Sequence, residues 1–248
     1  TGIGEPLGAF IAAVVAIEIG SRISGKTKVD ILVTPIVTIL SGSIVGLLVG
    51  PPISGFMTAL GDLINWGTIQ QPVLMGVIVS VVMGMVLTLP ISSAALGVIL
   101  GLSGIAAGAA TIGCSAQMIG FAVASYRENK FGGFIAQGIG TSMLQVPNIV
   151  RKPVIWLPPI ITSAILGPIA SKVLEMTNNA TGSGMGTSGL VGQIMTFQTM
   201  TAEGASPGYT MVLILVMHFV APAVITLILS ELFRKKGWIQ YGDMALDM

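Results

Sequence analysis

Charged side chains are scarce in this sequence, 8% of its 248 residues against about 25% in a typical soluble domain, so no solvated shell can be built around a core. The net charge of +1 and the absence of a basic patch interleaved with aromatics exclude a nucleic-acid partner. Cysteine occurs once, at Cys114, which excludes an internal disulfide and a cysteine metal cluster. Cys114 lies among apolar residues, where a thiol is small and inert. Histidine also occurs once. His218 alone cannot hold a metal, and inside an apolar span it reads as a hydrogen-bonded structural residue or a proton relay. No P-loop, nucleophile elbow, His-Glu zinc motif or carboxylate pair is present, so no catalytic residue, metal or cofactor is expected, and the chain is not read as an enzyme. Gly184 to Gly189, GMGTSG, fits the dinucleotide fingerprint, but no strand precedes it and the match is taken as chance. The glycosylation pattern Asn179-Ala180-Thr181 has no secretory context to give it meaning. The chain opens at Thr1 without a basic leader or cleavage pattern, so no signal peptide is expected.

What is abundant is apolar sequence. Hydrophobic residues make up 53%, in continuous runs of about 17 to 24 rather than in alternation, which predicts an all-α integral membrane protein and not a barrel. About seven transmembrane helices are expected, with re-entrant or interfacial half-helices, in a single domain over residues 1–248. The spans fall near Leu7 to Ile23, Ile31 to Val49, Val73 to Leu89, Val154 to Met176 and Tyr209 to Phe233. Glu18 and Arg22, four apart, can pair on one face of the first. In the second, Gly42, Gly46 and Gly50 form a small-residue ladder suited to close helix packing, and Pro51-Pro52 is expected to stop the helix. Ile53 to Gln71, with Asp62, Asn65, Trp66 and Gln70, reads as interfacial or re-entrant. The run Ile91 to Tyr126 has no charge over roughly 36 residues and is expected to cross twice, with Ala110 to Ser115 as the weak point between the two legs.

Charge distribution tests that layout. With seven crossings, Lys26 and Lys28, Arg127 and Lys130, Arg151 and Lys152, and Arg234 to Lys236 all share one side, which the positive-inside rule makes cytoplasmic together with the C-terminal end. Glu128, beside Arg127 and Lys130, is expected to pair there with its neighbours.

The unusual stretch is Phe131 to Asn148, FGGFIAQGIGTSMLQVPN, Gly-rich and carrying an amide-and-hydroxyl stripe. A second Gly-flanked stretch, Thr177 to Gly208, encloses a short apolar island at Leu190 to Met200 that can dip into the membrane as a half-helix. Together with the preceding run they place Gln117, Gln137, Thr141, Ser142, Gln145, Asn148, Thr187, Ser188 and Gln193 at membrane depth. Amides and hydroxyls both donate and accept, which suits a neutral, polyhydroxylated solute, and these nine are the candidate ligand-binding residues. The alternative for each is hydrogen bonding between helices. Fourteen methionines also suit an adaptable, lipid-like ligand.

The strings LTLPISSAA, GAATIGCSAQMIGFAVASYREN, GGFIAQGIGTSMLQVPNI and GMGTSGLVGQ resemble the EIIC-like membrane family of the bacterial phosphotransferase system, in its perfringolysin O regulator-like branch. The resemblance covers roughly Ile31 to Phe233. It implies a bacterial inner-membrane protein, a permease-like helical domain, a homodimer, and sugar uptake or a regulatory role. No cytoplasmic phosphoacceptor domain with Cys or His is found in this chain, so coupled phosphorylation by it is not expected. Two functions follow: a permease-like subunit that carries a small polar, sugar-like solute through the cavity, or a membrane-embedded sensor without net transport that acts on a cytoplasmic partner.

Overall fold

A computed structural model describes residues 6–246, with side chains from residue 8. Among them there is no strand, only an isolated bridge between Gly104 and Asn178. Four helical stretches are long and apolar enough to cross a bilayer, Asp30–Gln70, Gly104–Ala124, Pro153–Val173 and Pro207–Lys235, and Pro72–Thr88 is a shorter apolar helix. The protein is an all-α membrane protein, as its composition predicts.

The chain divides into two compact units, Thr1–Gly61 and Asp62–Met248. In the first, α1 (Pro6–Ile23) packs antiparallel on the opening part of α2 (Asp30–Gln70). A Cβ at Gly42 would meet the Ala16 methyl at 3.0 Å and one at Gly46 the Ala12 methyl at 3.6 Å, so these two rungs of the ladder do bring helices together; Gly50 faces open space. Arg22 and Glu18 pair at 2.7 Å on the exposed surface.

Two expectations for α2 are corrected. The helix does not stop at Pro51-Pro52 but runs through both, and Ile53 to Gln71 is its continuation rather than a separate interfacial segment. Proline's fixed φ is already helical, and each one forfeits a single hydrogen bond. Leaving the helix would strip the backbone of several partners in a medium that offers none.

The second unit holds α3 (Pro72–Thr88), α4 (Ser93–Ile99), α5 (Gly104–Ala124), α6 (Tyr126–Ile135), α7 (Val146–Arg151), α8 (Leu157–Pro168), α9 (Ala180–Ser183), α10 (Val191–Ala202), α11 (Pro207–Ile214) and α12 (Ala221–Lys235). Its axis is α5, almost wholly buried. Ser80 and Gly84 of α3 lie against Gly113, and Thr88 reaches Gln117, so α3 and α5 run parallel. Ser80 Oγ donates to Ser163 O at 2.8 Å and Ser171 Oγ to Pro72 O at 2.6 Å, which sets α8 antiparallel to α3. Gly120 faces Thr226, and Arg234 Nη2 donates to Ala124 O at 3.1 Å, so α12 runs with α5. These directions define two ends of the unit, one at Gly104 and one at Ala124.

Parallel neighbours require the chain between them to return the length of α3. It does so, but not by the second crossing expected of the charge-free run, in which only Gly104–Ala124 is long enough to span a bilayer. The return leg is α4, seven residues long or about 10 Å, with loops on either side. The break lies at 100–104, where Gly101 and Gly104 take φ of +58° and +55° and Asn65 holds both Gly101 O (2.9 Å) and Ser103 N (3.2 Å). Ala110 to Ser115, the expected weak point, is buried mid-helix instead, because small side chains that lower helix propensity are what lets α3 approach so closely.

Candidate functional site

Two interrupted segments enter the second unit from opposite ends and meet beside α5. The first leaves α5 at its Ala124 end, passes through α6 and a wide π-type turn at Ala136–Gly140, brings Gly138 against Ile119 and Ala122, and returns through a tight 3₁₀ turn at Ser142–Gln145. The second starts at the Gly104 end, where Asn178 N donates to Gly104 O at 3.1 Å. It climbs through α9, passes Cys114 at Gly186 and Met118 at Thr187, and descends as α10. Residues with positive φ sit in both, Lys130 at 53° and Leu190 at 59°, where the helical path is left.

Unwinding a helix strips its carbonyls of partners, and inside a membrane those must be supplied by side chains. Here the second segment serves the first, and the return leg serves the second. Thr187 Oγ1 donates to Gly138 O at 2.5 Å and Ser188 Oγ to Gly140 O at 3.0 Å. Ser93 Oγ, from the return leg, donates to Gly184 O at 2.6 Å. Thr88 Oγ1 pairs with Ser142 Oγ at 2.9 Å and with Gln117 Oε1 at 3.3 Å, and Trp156 Nε1 donates to the same Gln117 oxygen at 2.9 Å. Gln117 Nε2 is buried and unpartnered.

A cleft of about 190 Å³ opens where these pieces converge. Ser92 and Ser93 line it from the return leg and Met118 from α5. Gly140, Thr141 and Met143 close it on one side and Met185 and Ser188 on the other. It is smaller than the roughly 300–1,000 Å³ of ordinary ligand pockets, so a sugar-sized solute would need the segments to part.

The nine sequence-derived candidates separate into three places. Thr141 and Ser188 line the cleft, while Ser142, Thr187 and Gln117 form the polar layer that joins its walls. Gln137, Gln145 and Asn148 form a chain of amides that leads away from it. Gln137 Nε2 donates to Ser125 Oγ at 2.8 Å, Gln145 Nε2 to Gln137 Oε1 at 2.8 Å and to Met244 O at 3.0 Å, and Asn148 Nδ2 to Gln145 Oε1 at 2.9 Å and to Ala245 O at 2.8 Å. Asn129 completes the set with bonds to Met244 O and Leu246 N, both 2.8 Å. These amides hold the backbone of 244–246, which folds back after α12 and buries Ile239 and Met244 against Phe121, Ile149 and Ile155. Gln193 is in a third place. Its Nε2 lies 2.9 Å from His218 Nδ1, and it lines a separate apolar groove of about 530 Å³ between α10 and α11. The expected single chamber built by all nine is therefore not what the side chains form. His218 is hydrogen-bonded to Gln193, and Cys114 is buried.

Glu128 is corrected as well: it pairs with Arg234 at 2.9 Å, while Arg127 takes Glu231 at 3.2 Å. The folded-back strap is clipped by Lys152 and Asp243 at 2.6 Å. Partial burial pushes the Asp243 carboxyl up, but hydrogen bonds from Lys152 and Gln240 N–H and the charges of Lys152 and Arg234 outweigh it and hold the group below its usual value. A carboxyl with a depressed folded pKa stabilises above its unfolded pKa and loses that contribution as pH falls through the folded one. A spin label at the exposed Tyr241 should therefore report constant mobility across neutral pH and rising mobility only below about pH 4.

Thr88, Ser92, Ser93, Trp156 and Met185 belong to the site without having been expected there. A signal for the architecture exists. Gly138 to Leu144 reads GIGTSML and Gly184 to Leu190 reads GMGTSGL, one pattern, G-x-G-T-S-x-L, at both tips that meet.

A helical membrane protein whose cleft is built by interrupted segments from both ends has the architecture of a permease. The family model of the phosphotransferase system EIIC matches residues 1–246, and the chain belongs to that family. EIIC is the membrane-embedded, sugar-permease component of that system and carries no phosphoacceptor of its own. Neither the curated proteins nor the solved structures contain a match to this chain.

Proposed function

We propose that this protein is an inner-membrane permease subunit that binds a small, neutral, sugar-like solute in the cleft between the two G-x-G-T-S-x-L tips. The observation that carries the reading is the meeting of two broken segments, from opposite ends, at a cleft where hydroxyls and glycine backbone stand among Leu87, Ile91 and the methionines Met118, Met143 and Met185. Thr141 and Ser188 contact the solute, with Ser142, Thr187 and Gln117 behind them; the unpartnered Gln117 Nε2 is a donor left for a ligand or for a rearranged wall. Gln137, Gln145 and Asn148 act at one remove, by fixing the first segment. The match across residues 1–246 supports treating both units as one EIIC domain. Apart from Lys172, the basic residues of the second unit lie toward the Ala124 end, in keeping with a cytoplasmic face there, where a partner protein would dock; a homodimer in a bacterial inner membrane is part of the same reading.

Uptake of labelled monosaccharides into proteoliposomes tests it. The wild type should carry at least one of them above protein-free vesicles, and Thr141→Val should weaken its binding about tenfold, the worth of a lost hydrogen bond of about 1.4 kcal/mol. Binding without flux would replace transport by the sensor reading, which the small size of the cleft favours. No binding of any monosaccharide would overturn both.

A further inference from the structure

The two tips carry the same residues but do not bond in the same way. Thr187 and Ser188 of the second donate to the carbonyls of Gly138 and Gly140 of the first. The equivalent donors of the first tip, Thr141 and Ser142, do not reach the equivalent carbonyls of the second. Thr141 Oγ1 accepts from Met143 N at 3.1 Å, Ser142 Oγ pairs with Thr88, and Gly184 O is taken by Ser93. A repeated pattern with one of its two mirror-related bond sets in use describes one member of a pair of states. Because the segments enter from opposite ends, exchanging the sets would close the cleft toward one end and open it toward the other.

We propose that the G-x-G-T-S-x-L stretches form the contact of an inverted repeat and exchange donor and acceptor roles during the working cycle. In the second state Thr141 donates to Gly184 O and Ser142 to Gly186 O, while Thr187 and Ser188 release Gly138 and Gly140. Thr88 and Ser93 are then the side chains that hold the present state, since each occupies a group that the other state requires. The inference extends the permease reading by naming the groups that trade places, and it needs no knowledge of the solute.

The test uses the full chain in oriented vesicles, with Met143→Cys as an exposed reporter at the cleft and the buried Cys114 as a silent background. Labelling by a membrane-impermeant maleimide is compared from the two sides. Thr187→Val with Ser188→Ala removes bonds made only in the present state, and Thr141→Val removes the donor to Gly184 O used only in the other while leaving the Ser142–Thr88 pair of the present state in place. The ratio of labelling from the two sides should move in opposite directions in these two variants, about fivefold for each bond lost. The hydroxyl-keeping pair Thr187→Ser and Ser188→Thr should leave the ratio at the wild-type value. If the double variant does not fold, the single changes Thr141→Val and Ser188→Ala make the same comparison. Shifts in the same direction, or none, overturn the exchange. Opposite shifts in a protein that moves no solute would keep the exchange and remove the permease reading, so the two fail separately.

Discussion

Gly113→Ala should cost the second unit about 3 kcal/mol or more, enough to remove most folded protein from a detergent extract. A methyl at this position would land on the backbone of Ser80, carbonyl included, and Gly84 meets the Gly113 backbone from the other side. Backbone cannot swing aside as a flexible side chain can, so the insertion must push α3 and α5 apart. Overpacking of this kind ordinarily costs about 1–3 kcal/mol, and here the displaced helix also carries Ser80 and Thr88, whose hydroxyls bond to Ser163 O and Ser142. Gly108, opposed by the Met176 backbone, should behave alike. Gly132 and Gly208 have nothing within 4 Å of the added methyl, and alanine there should be neutral or raise stability by up to about 1 kcal/mol. Thermal melts of the four variants in one detergent separate the cases. Equal losses at Gly113 and Gly208 would mean that α3 and α5 are not in backbone contact.

That contact also marks where sequence stops being readable. The membrane class is legible because it rests on composition, which tertiary structure cannot reverse. The two broken segments are legible because clustered glycines and hydroxyls inside an apolar chain have few other uses. Ala110 to Ser115 misleads, since the small residues that weaken an isolated helix are the ones that let a packed helix be approached. Pro51-Pro52 misleads for a related reason: the loss of two hydrogen bonds says nothing about whether any alternative backbone is better satisfied. The amide stripe at Gln137, Gln145 and Asn148 has the same spacing whether its partners are solute hydroxyls or backbone carbonyls, and those carbonyls, Met244 and Ala245, come from about a hundred residues away. No local pattern encodes that pairing. The repeated G-x-G-T-S-x-L was in plain view, but its meaning depends on both tips arriving at one point.

Glu128→Ala and Arg234→Met should each destabilise the second unit by about 3–5 kcal/mol, while the double change Glu128→Leu with Arg234→Met should recover most of the loss. The pair lies at the Ala124 end with side chains 1% and 11% exposed, and Arg234 Nη2 reaches both carboxylate oxygens, at 2.9 and 3.2 Å. Removing one partner leaves a charge out of water without its direct ion-pair partner, and the two losses should not be equal, since Arg234 still feels the Asp243 carboxylate while Glu128 has no second cation paired with it among the described residues. Without Glu128 the guanidinium keeps the carbonyls of Ala124 and Gln240, at 3.1 and 3.3 Å, which hold it toward the lower figure. Without Arg234 the carboxylate keeps only the Gly242 N–H at 3.2 Å and is the more deeply buried of the two, so Arg234→Met belongs at the upper figure. The pair also anchors the strap, through Gly242 and Gln240, so both single changes should raise the mobility of a label at Tyr241. The exposed pair Glu18 and Arg22, at 60% and 74%, provides the contrast: Glu18→Ala should shift stability by no more than about 0.5 kcal/mol, because water already screens what the pair gains. Comparable effects at Glu18 and Glu128, or a double variant no better than the worse single, would show that Glu128 and Arg234 are solvated and do not depend on each other.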